Sequence, residues 1–262
     1  MLGRMPEPTH APRGARERAR AEIMAELLAS ARAHLVADGA ASLSLRAVAR
    51  DLGVASSAVY RYVASRDALL TLLIVEAYDA AGSAAEGAAR AAEQRGDAPA
   101  QRWLEAARAV RAWALAHPHS FELVYGTPVR GYRAPADTVA PALRLWSVLV
   151  GVLVAAHADG SLRPVGPVYD PRGLVDPGVY AFAGLGAEDE VPDDVALALT
   201  RSMSLFASLV GAITAELFGH LHNVAADADR LFDVTIATAS AGIGLHVDLG
   251  AGAGLGATAD LG

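Results

Sequence analysis

Between Ser42 and Leu70 the chain reads SLSLRAVARDLGVASSAVYRYVASRDALL, and few folds accept residues in that order. Leu45, Val48, Ala49 and Leu52 recur at i, i+3, i+4 and i+7, which predicts a short helix burying one stripe, with Ser44 as its N-cap. Gly53 ends that helix, because glycine takes the left-handed backbone that a sharp turn requires, and Val54 is expected to return to the core. A second helix follows at once, roughly Ser56 to Tyr62, with Val59 and Tyr62 pointing inward. Ser56, Ser57, Ala58, Tyr60 and Arg61 are left on a face with no core to cover. Small polar residues let a backbone approach base edges, and a phenol and a guanidinium can reach bases and phosphates, so the pattern suits a helix-turn-helix that reads DNA. Ser65 caps a third helix, with Arg66 and Asp67 in its first turn. An ordinary helical hairpin inside a bundle is the alternative.

The segment LSLRAVARDLGVASSAVYRYVASRDAL resembles the DNA-binding signature of the tetracycline-repressor (TetR) family of bacterial transcription regulators, over Glu22 to Leu73. Tyr62-Val63 stands where a histidine-phenylalanine pair is common, and Arg66 where a lysine often contacts phosphate. The resemblance implies a three-helix DNA-binding domain carrying Ser44, Arg46, Ser56, Ser57, Ala58, Tyr60, Arg61, Tyr62 and Arg66 as DNA-side residues. It also implies a C-terminal helical domain for effector binding and dimerisation. LFASLVGAITAELFGHLHN is similar to the penultimate helix of a subgroup named for a tryptophan-histidine-glycine signature, of which only the glycine survives, as Gly211, with Phe206 and Val210 at the other places.

A net charge of −7 would argue against a nucleic-acid partner if it were spread evenly. It is not: residues 1–66 hold ten arginines against six carboxylates, leaving twelve against twenty-three for the rest. Phosphate neutralisation is local, so a basic head on an acidic body fits a DNA binder with a second, different domain. Every basic residue is arginine, and much of the 53% hydrophobic content is alanine, which raises mean hydropathy without marking a membrane segment. No run of about 18 uncharged apolar residues occurs. Leu145 to Ala156 and Leu205 to Ala215 read as buried helices. The first twenty residues lack an apolar secretory core and there are no cysteines, so a cytoplasmic protein with no membrane partner is expected.

Along the chain, residues 1–14 read as a flexible arm whose Arg4 and Arg13 could enter a minor groove. The DNA-binding domain is expected at 15–66. Its first helix runs from Ala15 to Val36, burying Ile23, Leu27, Leu28, Ala31 and Leu35, with Arg16, Arg18 and Arg20 at its start. The second domain, 67–248, opens on a long helix through Leu69, Leu73, Ala77 and Ala81 to about Glu93, a lever between the two domains. A helix from Ala100 to Ala116 has Trp103, Ala107, Val110 and Leu115 among its apolar positions. His117-Pro118 separates it from a short helix holding Phe121, Val124 and Tyr125. Asp137-Thr138 caps a strongly apolar helix, Val139 to Ala158. Residues 159–190 hold no sustained period and form a long irregular loop, with at most a short helical turn. The period returns from Pro192, through Val195, Leu199, Ser202, Phe206, Leu209, Ile213 and Leu217. A last helix, Asp227 to Leu245, shows Leu231, Thr235, Thr238 and Gly242. The tail, 249–262, has no core-forming pattern and is expected to be disordered. With no competing strand pattern, the fold class is all-α.

The aromatic residues of the middle helices, Trp103, Trp113, Phe121, Tyr125 and Trp146, are the candidates for an apolar effector site, against the plainer reading that they fill a core. Phe206, Leu209, Gly211, Ile213 and Leu217 are the candidates for a dimer interface, because one helix-turn-helix reads few base pairs and a second must come from another subunit. The eight histidines do not supply the i, i+4 spacing of a helical metal site, so no metal and no cofactor is expected. Neither GxSxG, nor a phosphate loop, nor HExxH occurs, and no catalytic residue is proposed. The expected function is a ligand-responsive regulator, most often a repressor in this family. It would bind a palindromic double-stranded operator as a homodimer and be released by a small apolar effector. A helical DNA-binding or protein-interaction module without an effector, or an enzyme, are the alternatives.

Overall fold

The computed structural model describes residues 13–182 and 184–250, and the described residues are helical without strands. Ten α-helices follow one another: α1 (Arg13–Asp38), α2 (Leu45–Asp51), α3 (Ser56–Val59), α4 (Arg66–Gln94), α5 (Pro99–Ala116), α6 (Pro118–Tyr125), α7 (Val139–Ala158), α8 (Pro177–Phe182), α9 (Asp193–Leu217) and α10 (Ala228–Ile243). Short 3-10 turns precede α2, α7 and α9, at Ala40–Ser42, Ala136–Thr138 and Glu188–Glu190. The arm's Arg4, Arg13's side chain and the tail beyond residue 250 lie outside the described residues.

Two apolar clusters divide the chain, and α4 belongs to both. The first packs Leu27, Ala31, Leu45, Val48, Ala49, Val59 and Val63 against Leu69, Leu70, Leu73 and Ile74 of α4. The second begins one turn later, at Ala77, Ala81 and Ala85, and gathers α5, α6, α7, α9 and α10 around Trp103, Leu104, Phe121, Leu153, Leu209 and Ile213. A helix of 29 residues spans about 43 Å at 1.5 Å per residue, enough to carry one cluster at each end. By length and composition α4, α7 with its preceding turn, and α9 could each cross a membrane. Here each turns an apolar face to the shared core instead.

Local chemistry explains why α4 and α7 approach closely. A β-carbon built on Gly82 of α4 would lie 2.7 Å from Cβ of Arg144, so only glycine admits that side chain. The Arg144 guanidinium then donates to Glu86 at 2.8 and 2.7 Å, to Asp79 Oδ1 at 2.8 Å and to Ser83 Oγ at 3.0 Å. Hydrogen bonding from Arg144 holds the Glu86 carboxyl below its ordinary range. On the far side Arg111 of α5 grips Glu216 of α9 through two bonds of 2.6 Å and reaches Asp229 of α10 at 2.7 Å, while Arg108 grips Asp233.

Several expected core positions are corrected. Val54 is 44% exposed: its N–H donates to Ala49 O, which closes the turn through the backbone and leaves the side chain outside. Ile23, expected in the buried stripe of α1, is 37% exposed. In α10 the buried residues are Phe232, Ile236, Ser240 and Ile243, one position on from the expected Leu231, Thr235 and Gly242 and two on from Thr238. The irregular stretch 159–190 contains the short helix α8 and the 3-10 turn at 188–190.

Candidate nucleic-acid interface and effector cavity

Helices α2 and α3 meet across Gly53, whose φ of 66° lies in the left-handed region where a β-carbon is strained. The α-helical part of α3 is one turn. Hydrogen bonds from Tyr60 N to Ser56 O, Tyr62 N to Val59 O and Val63 N to Val59 O continue it as turns through the expected end. Val59 is buried in the first cluster, and Tyr62 is half-buried against it. On the opposite side Ser57, Tyr60 and Arg61 are exposed, as is Arg46 of α2, while Ser44, Ser56 and Ala58 are half-buried. Ser44 occupies the N-cap of α2 without a side-chain bond to it, whereas Ser65 Oγ accepts from Ala68 N at 3.0 Å and caps α4. The Arg20 guanidinium lies 5.6 Å from the centre of the Tyr62 ring, tying the start of α1 to the end of the reading helix. Nothing in the spacing of the two residues announces that contact.

Arg66 stands differently from the expectation of a phosphate contact. Its Nε donates to Leu43 O at 3.1 Å, and Nη2 donates to Ala40 O at 2.9 Å and Ala41 O at 3.1 Å. Nη1 faces Asp67 at 3.4 Å. The reason is local: the 3-10 turn before α2 is short, Ala40 O takes only a long bond of 3.4 Å from Leu43 N, and a five-donor fork meets the carbonyls of Ala40, Ala41 and Leu43. Arg66 therefore fastens that turn to α4. A second fastening joins α1 to α2, where Asp51 accepts from His34 Nε2 at 2.6 Å and from Ser30 Oγ at 3.1 Å. Those two hydrogen bonds, His34's first, hold the Asp51 carboxyl below its ordinary range.

The aromatic candidates separate into four places. Trp146 lines a cavity of about 230 Å³ between α7, α8 and α9, together with Val150, Val175, Val179, Leu199 and Met203. Trp113 borders another, of about 200 Å³, where α1 and α4 face α5 and α6, and stacks on His117. Trp103 and Phe121 are core residues, each 1% exposed, and border neither cavity. Tyr125 connects rather than lines. Its ring meets Phe206 at 6.0 Å and Tyr78 at 5.9 Å, Phe206 stacks on Trp146 at 5.3 Å, and burial pushes the Tyr125 phenol well up. Tyr78 of α4 donates to Val124 O at 3.3 Å. Thr71 Oγ1 donates to Asp67 O and so accepts from Tyr132 Oη at 2.9 Å, bringing the loop after α6 against α4 as well.

The dimer candidates also divide. Leu209 and Ile213 are buried in the chain's own core and are corrected to internal positions, whereas Phe206 is half-buried and packs on Trp146 and Tyr125. Leu217 is half-buried against the same core. Gly211 is exposed, with nothing within 4 Å of a β-carbon built on it. Also exposed are Ala207 of α9, Phe218 just past its end, and Leu231 and Val234 of α10.

Two family profiles cover most of this frame. Residues 27–73 match the one described as bacterial regulatory proteins, tetR family, and residues 103–239 match the tetracyclin repressor-like C-terminal domain. The chain belongs to the TetR family. Its TetR-type N-terminal match runs from the buried half of α1 into the first turns of α4, which is the span of the first apolar cluster. Among curated relatives, the HTH-type transcriptional regulator Rv1816 of Mycobacterium tuberculosis is 40% identical over 211 residues, covering 79% of this chain and 85% of the relative. The regulator Mb1846 of Mycobacterium bovis matches to the same extent. Among solved structures, that of the protein SCO4313 is 31% identical, covers 87% of this chain and 98% of its own, and superposes with a TM-score of 0.63. This TetR-family chain is thus similar to HTH-type transcriptional regulators along most of its length.

Proposed function

We propose that the chain is a sequence-specific, effector-responsive transcriptional repressor that binds a palindromic operator as a homodimer. The observation that carries this is the exposed face of the helix-turn-helix. Ser57, Tyr60, Arg61 and Arg46 stand free of the core on a reading unit otherwise locked by Arg66 and Asp51, so they are available for base edges and phosphates. A single unit contacts few base pairs, and two held about 34–36 Å apart meet successive major grooves. The exposed apolar strip of α9 and α10 around Gly211 is the surface we assign to that pairing.

The effector is a small apolar molecule held in the C-terminal domain. The route by which it acts is the contact series Trp146, Phe206, Tyr125, Tyr78, which begins at a cavity and ends on α4 about one turn past Ile74, its last buried residue in the N-terminal cluster. By linkage, an effector that weakens operator binding is itself bound more weakly by the operator complex, by the same factor. Selection from randomised DNA, followed by footprinting with and without candidate compounds, tests the proposal. A palindromic site whose protection is lifted by a compound is the expected result. DNA binding without sequence preference would refute it.

A further inference from the structure

We propose that the cavity between α7, α8 and α9 takes a neutral, apolar, two-ring-sized molecule and rejects its charged isosteres, an inference that rests on the effector-responsive reading above. Walls from three elements line it. Leu143, Trp146 and Val150 come from α7, Val175 and Val179 from α8 and the residue pair before it, and Leu199 and Met203 from α9. Ser147 supplies the one hydroxyl among the described lining residues, and its Oγ already donates to Leu143 O of its own helix at 3.2 Å. No ionisable side chain lines the cavity among the described residues. A carboxylate or ammonium entering there would lose its hydration and gain no partner.

Size follows from volume. An apolar cavity of about 150 Å³ accepts benzene, so one of about 230 Å³ scales to roughly nine or ten non-hydrogen atoms. Trp146 favours an aromatic guest, since rings gain offset or edge contacts beyond burial alone. Met203 stands at the rim, more than half exposed, and its unbranched thioether can adapt to guests of differing outline. The indole that touches the guest is the one stacked on Phe206, so occupancy is felt at the start of the contact series toward α4.

Naphthalene and 2-naphthoate make the test, because they differ by one carboxylate. Titrated into the full-length protein and followed by tryptophan emission and calorimetry, naphthalene should bind saturably at one site per chain. The carboxylate should bind at least fiftyfold more weakly. Val179→Trp, which fills the cavity, should weaken naphthalene at least tenfold. Should that variant fail to fold by circular dichroism, Val150→Ala decides: the enlarged cavity should shift preference from naphthalene toward biphenyl. Trp146→Phe should abolish the emission change while calorimetry still detects the guest. Equal affinity for 2-naphthoate, or naphthalene affinity untouched by both cavity variants, would overturn the proposal. Binding as expected without release of the operator would uphold the cavity and sink the effector-responsive reading. Release by a compound that Val179→Trp does not affect would do the reverse.

Discussion

Arg61 and Arg66 are five residues apart, carry the same group, and are committed to different work. Arg61 is free on the outer face of the reading helix, whereas Arg66 spends its donors on Ala40, Ala41 and Leu43. Arg61→Ala is expected to cost about 1–3 kcal/mol of operator binding, with preference relaxed at one base pair and thermal stability unchanged. Arg66→Ala should destabilise the fold by about 1–3 kcal/mol, because it leaves carbonyls at the turn without a charged donor. Gel shifts alongside thermal melts separate the two, and an Arg66 variant that melts like the wild type but loses the salt dependence of DNA binding would restore it to phosphate contact. Asp51 adds a dependence on acid. Its folded-state carboxyl lies below the ordinary value, so its stabilising bonds to His34 and Ser30 are fully present above the unfolded pKa and lost as pH falls through the folded one. Asp51→Asn should therefore flatten the acid limb of the stability curve, measured by urea melts between about pH 2 and pH 5, the window around and below the roughly 3.9 of a free aspartate. Cap and turn residues were readable in advance at this scale, because Ser65 and Gly53 act on atoms within four positions of themselves. The Arg66 fastening was not, since its acceptors lie 23 to 26 positions away.

Helix ends were legible for a related reason: Ser65, Pro99 and Pro118 punctuate the chain locally. Helix faces were legible only where large apolar residues mark one side. In α10 threonines misled, because Thr235 and Thr238 satisfy their hydroxyls on Leu231 O and Val234 O of their own helix and can sit on either side. A slip of one residue rotates the face by about 100°. The same rotation decides what α9 offers a partner, with Leu209 and Ile213 turned inward and Gly211 outward. Gly211→Leu is expected to keep full helicity and to gain helix propensity, yet to lower self-association at least tenfold at micromolar concentration. Sedimentation beside circular dichroism measures both. A helical variant that stays as associated as the wild type would place Gly211 away from the pairing surface. The cavity proposed for the effector was hardest to foresee, for Val175 belongs to a stretch without period and lines it beside Leu199 only through the fold.

At the scale of the whole molecule, α4 supplies four residues to the N-terminal cluster and the next turns to the C-terminal one, without a break in its hydrogen bonding. Two cores strung on one uninterrupted rod cannot come apart independently: melting either end frays the helix that the other end needs. Differential scanning calorimetry should accordingly record one peak, with van't Hoff and calorimetric enthalpies equal, where two separate domains would give two. The reading unit, small by itself, borrows its endurance from the larger body. A guest at a hundred times its dissociation constant in the distant cavity adds about 2.7 kcal/mol to the folded state, and that gain would be shared with the DNA-facing end as slower proteolysis there. A repressor built this way would be released from its operator and protected from degradation by the same molecule.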